Sequence, residues 1–285
     1  MNYLNIIENP NLHTKDNLLN IKNMNLSDQN CNQLDHTYIA ENLSSEIQHY
    51  PLIILETVDS TNQYALIQAD TALTCLAEYQ TQGRGRQGRQ WISPYASGLC
   101  LSIKQRYSDL IYPLSGLNIA LAVTVARTLQ QFGIPEIQIK WPNDIQWRNR
   151  KLAGLLLESR CLTYQCYDVV IGIGINVKMP LQSKVAIDQL WVDLYTITGK
   201  TLSRNQLAVQ LINQCWHTLL TYPQSGLTNF LPIWQTFDVL YGRQITLHTP
   251  KESVVGVAQG INMEGALILQ LNDQKRYFND GSVAL

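Results

Sequence analysis

The chain has 285 residues, 45% of them hydrophobic and 15% charged, and a formal net charge of −1. That content suits one large domain, or one large and one small. It excludes a globally basic protein drawn to nucleic acid or anionic lipid, so any basic function is local.

Six cysteines form no CxxC pair, and five histidines form neither HExxH nor HxxxH, so no zinc signature is present. Scattered cysteines fit a reducing compartment. There is no apolar run of about 18 residues, and the polar start does not read as a signal peptide. The expectation is a soluble, cytoplasmic protein with no membrane segment.

Residues 1–32 hold ten asparagines and little apolar periodicity. Such a stretch buries too little surface to offset its ordering entropy, so 1–34 is expected to be a mobile segment or weak helices. A helix is expected over 37–47 and a buried strand over 51–57. The caps at Asp59, Ser60, Thr61 and Asn62 then start a helix that ends near Gln68. Strands follow at 72–79 and 98–106, separated by a glycine- and arginine-rich loop. Leu117, Leu121, Val125 and Leu129 share one helix face, which Gly133 and Pro135 terminate. Short strands are expected at 136–141, 145–147, 152–158 and 167–175, with a hairpin turn at 148–150 implying antiparallel pairing. Leu207, Leu211, Cys215 and Leu219 mark another amphipathic helix, and 227–237 a shorter one. Strands at 243–248, 252–259, 265–271 and 275–278 suggest a small β-barrel of about 45 residues. The fold class is thus α/β (α+β), a central mixed sheet with a small C-terminal β domain. The expected boundaries are 35–238 and 239–285.

Chemistry concentrates in a few places. Residues 83–91, GRGRQGRQW, carry three guanidinium groups separated by glycines. Glycine lets backbone N–H groups approach an anion, and arginine matches carboxylate or phosphate oxygens bidentately. A solvated basic loop has the same composition, but this one is a single copy placed directly after a strand. It matches neither GxxxxGK[ST] nor GxGxxG. KWPND at 140–144 ends a strand with Lys140, an aromatic, a turn, Asn143 and Asp144. It reads either as a plain turn or as a magnesium or nucleotide contact, since magnesium takes oxygen ligands shared with phosphates. Lys151, in KLAG at 151–154, is either a solvated strand end or a fixed charge facing a reaction centre. GIGIN at 172–176 ends a strand with two glycines, which permit close approach. Ser60, Thr61 and Asn62 are first a helix cap, and second a set of donors and acceptors for a small polar ligand.

The series DSTN (59–62), AEYQTQGRGRQGRQW (77–91), KWPND, KLAG and GIGIN resembles the biotin protein ligase family, from about Asp35 to the C-terminus. The arginine loop and KWPND together are its most specific part; lipoate ligases share the fold but use a different arginine–glycine pattern. The resemblance implies an SH3-like C-terminal domain and a two-step reaction with biotin, ATP and Mg2+. Biotin is adenylated to biotinyl-5′-AMP and then passed to a lysine of the biotin carboxyl carrier protein of acetyl-CoA carboxylase. It implies catalytic roles for Lys151, Arg84, Arg86 and Asp144. The biotin site it implies comprises Ser60, Thr61, Asn62, Gln80, Gly83, Arg84, Gly85, Arg86, Lys151 and Gly154. The adenylate side comprises Arg86, Arg89, Trp91, Lys140, Asn143, Asn176 and Phe278, with Asp144 linked to magnesium or to the incoming lysine.

Two departures from the family stand out. The stretch before Asp35 is too short and asparagine-rich for a winged helix-turn-helix, so DNA binding is not expected. The residues after Phe278, Asp280, Gly281 and Ser282, lack the acid that follows the glycine in many members. A lipoate or octanoate ligase and a biotin-responsive DNA repressor are the competing readings. A homodimer through an exposed sheet edge is compatible with the architecture.

Overall fold

The computed structural model describes residues 33–109, 112–180, 187, 189–272 and 274–284. The expected N-terminal mobile segment therefore lies outside the described residues, except for Gln33 and Leu34. Those two are tied down: Leu34 N donates to Glu78 Oε1 at 2.5 Å, and Asn205 Nδ2 donates to Gln33 O at 3.0 Å.

Seven strands form the central sheet: β1 (Leu52–Val58), β2 (Ala72–Gln80), β3 (Gly98–Ser108), β4 (Ile137–Lys140), β5 (Asp144–Trp147), β6 (Arg150–Thr163) and β7 (Cys166–Asn176). Their spatial order is β1-β2-β3-β7-β6-β5-β4. Only β1 and β2 run parallel; every other pair is antiparallel. The turn between β5 and β6 places Arg148 and Asn149 at φ 47° and 61°, as a two-residue hairpin of the primed type requires.

Among the described residues, six α-helices flank the strands: α1 (His36–Glu41), α2 (Thr61–Ile67), α3 (Leu114–Gln131), α4 (Leu194–Thr198), α5 (Arg204–Ser225) and α6 (Leu231–Phe237). The helix expected over 37–47 stops at Glu41. Asn42 turns its side chain back onto Tyr38 O at 2.8 Å, and Ser44 N is captured by Asn213 Oδ1 of α5 at 2.9 Å. Nothing periodic announces α4. It rests on Asp193, whose Oδ1 accepts from Thr196 N at 2.8 Å, and on Gly199 at φ 68°.

Strand alternation gives the sheet two different faces. One carries Leu99, Leu101 and Ile103 into the large core beneath α3 and α5. There the buried pair Arg204–Glu78 at 2.7 Å, and Trp216 Nε1 donating to Thr74 Oγ1 at 2.9 Å, join α5 to β2. The other face bears a small cluster of Ala65, Leu73, Cys75 and Val170 under α2. It also bears polar side chains, beginning with Ser102 and Lys104.

The C-terminal sheet comprises β8 (Gln244–His248), β9 (Ser253–Ile261), β10 (Leu267–Leu271), β11 (Gln274–Phe278) and β12 (Ser282–Ala284), all antiparallel in the order β11-β10-β9-β8-β12. It shares the large apolar core and is tied by hydrogen bonds to the β4–β5 turn and to α3. Trp141 Nε1 donates to Gly265 O at 3.0 Å, and Ser115 Oγ to Glu264 O at 2.8 Å. Among the described residues, no helix is long and apolar enough to cross a membrane.

Candidate active site

The site is built outward from the start of α2. Ser60 accepts from Gln63 N as the helix cap, and Ser60, Thr61 and Asn62 are all buried. Polar groups buried this deeply need partners, and each has one. Gln80 Oε1 accepts from Thr61 N at 2.8 Å and lies 3.1 Å from Thr61 Oγ1. Ser102 Oγ lies 2.7 Å from Thr61 Oγ1 and 2.6 Å from Asn62 Oδ1. Asn62 Nδ2 donates to Leu156 O and to Glu158 Oε2. Gly172 makes this possible, because a Cβ there would stand 2.3 Å from Asn62 Oδ1.

The arginine loop lies folded over this wall. Trp91 N bonds Gly83 O at 2.9 Å, Gly85 N bonds Arg89 O at 2.7 Å, and a bridge joins Arg84 to Gln90. Gln87 and Gly88 take positive φ at its tip. Each guanidinium has protein acceptors. Arg84 reaches Glu158 Oε1 at 3.2 Å and Gln63 Oε1 at 2.7 Å. Arg86 reaches Asn143 Oδ1 at 3.2 Å and pairs with Asp280, while Arg89 reaches Ser282 Oγ at 3.0 Å. Two of the three loop arginines are thus held by the C-terminal sheet.

Trp91 carries the loop's apolar end onto β7. A Cβ at Gly174 would stand 2.4 Å from Trp91 Cε2, so only glycine lets the indole lie there. The buried Trp91 Nε1 has no hydrogen-bond partner among the described residues. Beside it, Lys151 Nζ sits 5.7 Å from the Trp91 ring centroid and 2.8 Å from Asp144 Oδ1. Asp144 faces Lys140 across the β4–β5 turn. Burial draws the Lys140 ammonium below the usual lysine range, opposed by Asp144 and reinforced by Arg89 and Lys151. Asn143 braces the turn by donating to Leu155 O at 2.6 Å and accepting from Leu155 N at 3.0 Å through its own carbonyl.

One cavity gathers Ser60, Thr61, Asn62, Gln80, Arg84, Gly85, Arg86, Trp91, Asn143, Lys151 and Gly154 on its walls. Gly83, Arg89, Lys140 and Asp144 are not among those walls: Asp144 pairs with Lys151 and faces Lys140, and Arg89 turns to Ser282. Asn176 and Phe278 lie apart. Asn176 is buried and its side chain holds the backbone of Lys151 and Val192 at 3.4 and 3.1 Å, which braces Lys151 from behind. Phe278 packs into the core, with the Arg276 guanidinium 4.9 Å over its ring. The described residues contain no group of three or more His, Cys, Asp or Glu side chains arranged for a metal.

The cavity also has walls that sequence reasoning passed over. Cys100, Leu101, Leu155 and Leu156 read as ordinary strand residues, yet all line it. Burial pushes the Cys100 thiol up, so it stays protonated there. The one usable signal was a serine and a lysine, Ser102 and Lys104, on the same strand face as Cys100 within an otherwise apolar strand. Asp280 and Ser282, whose segment departs from the family pattern, are the loop's anchors.

Comparison with known proteins identifies the family. The Biotin/lipoate A/B protein ligase family matches residues 54–176, and the Biotin protein ligase C terminal domain matches residues 240–285. A bifunctional ligase/repressor BirA of Salmonella typhimurium is 34% identical over 249 residues, which cover 86% of this chain and 78% of that protein. The chain belongs to the biotin protein ligase family. A biotin–[acetyl-CoA-carboxylase] ligase of Mycobacterium tuberculosis is 27% identical, covering 81% of this chain and 88% of the relative. In three dimensions the chain is similar to a biotin protein ligase from Aquifex aeolicus solved with biotin and ATP. The TM-score is 0.71 at 25% identity, over 82% of this chain and 97% of that one. The chain is therefore a ligase.

Proposed function

We propose that this ligase activates biotin with ATP and transfers it to a lysine of the biotin carboxyl carrier protein of acetyl-CoA carboxylase. The observation that carries the reading is the single cavity. Its walls combine hydrogen-bonding groups of α2 and Gln80 with Lys151 and the loop arginines Arg84 and Arg86. The uncharged groups suit a neutral polar head group, and the cations suit the meeting of two anions.

In the first step a biotin carboxylate oxygen attacks the α-phosphorus of ATP. The bond to the β-phosphate breaks, and pyrophosphate leaves with the electron pair. Arg84, Arg86 and Lys151 supply fixed positive charge where carboxylate and phosphate would otherwise repel. The unpartnered Trp91 Nε1–H offers a donor toward whatever anion enters beneath the indole. Magnesium belongs to this reading as the counter-ion of the ATP phosphates. Asp144, paired with Lys151, is the carboxylate that would hold it, and magnesium commonly completes its shell with waters and phosphates.

In the second step the neutral amine of the acceptor lysine attacks the acyl carbon, and AMP leaves. A free lysine is mostly protonated at neutral pH, with an ordinary pKa of about 10.4, so the amine must shed a proton. Asp144 is the carboxylate beside Lys151 that can orient it and take that proton. The mixed anhydride hydrolyses readily, which is why a loop that covers it matters.

The test is biotin-dependent exchange of pyrophosphate into ATP by the purified chain, followed by mass analysis of a carrier domain incubated with biotin or lipoate. Exchange with biotin and a mass gain from biotin alone are expected. No exchange removes the adenylation reading, and a gain only from lipoate moves the chain to the related ligases.

A further inference from the structure

On the sheet face shared with the cavity, four charged side chains meet away from the site. Asp168 of β7 is fully buried and pairs with Lys104 of β3 at 3.1 Å, Arg106 of β3 at 2.6 Å and Arg160 of β6 at 3.1 Å. Lys104 is also fully buried and donates to Gln68 O at the end of α2. Arg106 grips Asp168 with two nitrogens, whereas Arg160 uses one. Three cations against one carboxylate leave this cluster a net +2. The excess is on the surface, because the Arg106 and Arg160 side chains are 29% and 45% exposed while Asp168 and Lys104 are sealed.

A sheet needs no such surplus: one cation would neutralise Asp168. What the arrangement achieves is two guanidiniums held in fixed positions by a common anchor, with unused N–H groups facing outward. Their side-chain ordering is already accomplished in the free protein, which lowers the cost of binding a partner.

The cluster sits four residues along β7 from Gly172 of the cavity wall, which at about 3.3 Å per residue is roughly 13 Å. A protein contact of standard size covers about 800 Å² per partner, or roughly 30 Å across. A folded domain of that footprint that presents a lysine to the cavity on this face is wide enough to reach Arg106 and Arg160. The overall charge of −1 argues against a nucleic-acid track, which calls for an extended basic stripe.

We propose that Arg106 and Arg160 recognise an acidic patch on the acceptor protein and steer it onto the cavity face. This rests on the acceptor reading above. Such rim charges act mainly on encounter and on salt dependence, not on the chemistry.

The experiment uses the full chain, a biotin carboxyl carrier domain and the variants Arg160→Gln and Arg160→Glu, which leave Asp168 its pairs with Arg106 and Lys104. Biotin transfer is followed against carrier concentration at low and moderate salt, beside biotin-dependent pyrophosphate exchange. The expected result is a KM for the carrier raised about threefold by Gln and about tenfold by Glu, with kcat and exchange unchanged. The wild-type salt dependence should flatten in both variants. An unchanged KM and salt dependence in both variants overturns the proposal. A wild type that exchanges pyrophosphate but never modifies the carrier overturns the acceptor reading, and this inference with it. Competition by RNA in place of salt-sensitive carrier binding would reassign the patch to nucleic acid and likewise overturn it.

Discussion

Lys151 is held from three sides: by Asp144 at 2.8 Å, by the Trp91 ring at 5.7 Å, and by Asn176 beneath its backbone. A cation fixed in this way stabilises charge in a transition state without reorganising. Lys151→Ala is expected to lower biotin-dependent pyrophosphate exchange by roughly 100-fold or more, and exchange at the wild-type rate would remove Lys151 from the chemistry. Gly172 tests another part of the cavity wall. Its Cβ would overlap Asn62 Oδ1 at 2.3 Å, and Asn62 is locked by Ser102, Leu156 and Glu158, so it has nowhere to retreat. Gly172→Ala is therefore expected to weaken biotin binding at least tenfold in a calorimetric titration, and unaltered affinity would show that Asn62 does not border the ligand. The glycines of GIGIN were visible in the sequence, but the side chains they make room for come from 110 and 83 residues earlier in the chain, Asn62 and Trp91. A GxG says that something approaches closely. Only the fold says what.

At the scale of elements, the arginine loop is joined to both sheets. Its own backbone bonds close it, while Arg86 spans from Asn143 on the central sheet to Asp280 on the other, and Arg89 reaches Ser282. Gly281 N donates to Asp280 Oδ1 at 2.8 Å, which fixes the carboxylate before it meets the guanidinium. The loop's position over the cavity thus depends on a tripeptide about 190 residues away. Arg86→Gly should hasten loss of bound adenylate, and Asp280→Ala should do so to a smaller extent, by about three- to tenfold. Biotin affinity should hold steadier in Asp280→Ala than in Arg86→Gly. Filter-trapped biotinyl-adenylate, chased with unlabelled ligand, measures both. Equal retention in all three proteins would mean that the contact with the C-terminal sheet is incidental. The element pattern itself was legible wherever local rules govern it: the cap at Ser60, the hairpin at 148–149 and the long amphipathic helices. It was not legible where tertiary contact decides. The end of α1 and the whole of α4 are set by partners on α5 and by a single Asp193 cap, and neither leaves a periodic trace.

For the whole molecule, the question is how a sheet tolerates charge at its centre. Asp168 would be pushed up by its burial, yet Arg106, Lys104 and Arg160 together hold it down to about 2. An unfolded aspartate titrates near 3.9, so the folded state binds the proton less readily than the unfolded one. The resulting stabilisation is present in full above about pH 4 and is lost as pH falls through about 2. It amounts to roughly 2 kcal/mol. Removing the charge at neutral pH costs more than that, because Lys104 then stays buried without its anion. Breaking such a pair typically costs about 3–5 kcal/mol. Asp168→Asn should therefore destabilise the protein strongly in urea unfolding at pH 6, and the gap to wild type should narrow steadily as the pH is lowered toward 2.5, where the wild-type aspartate begins to take up its own proton. A gap independent of pH would show that the loss comes from packing and not from the carboxylate charge. A gap near zero at pH 6 would show that Lys104 finds water or Gln68 O sufficient, and that the three cations do not depend on Asp168 to stay where they are.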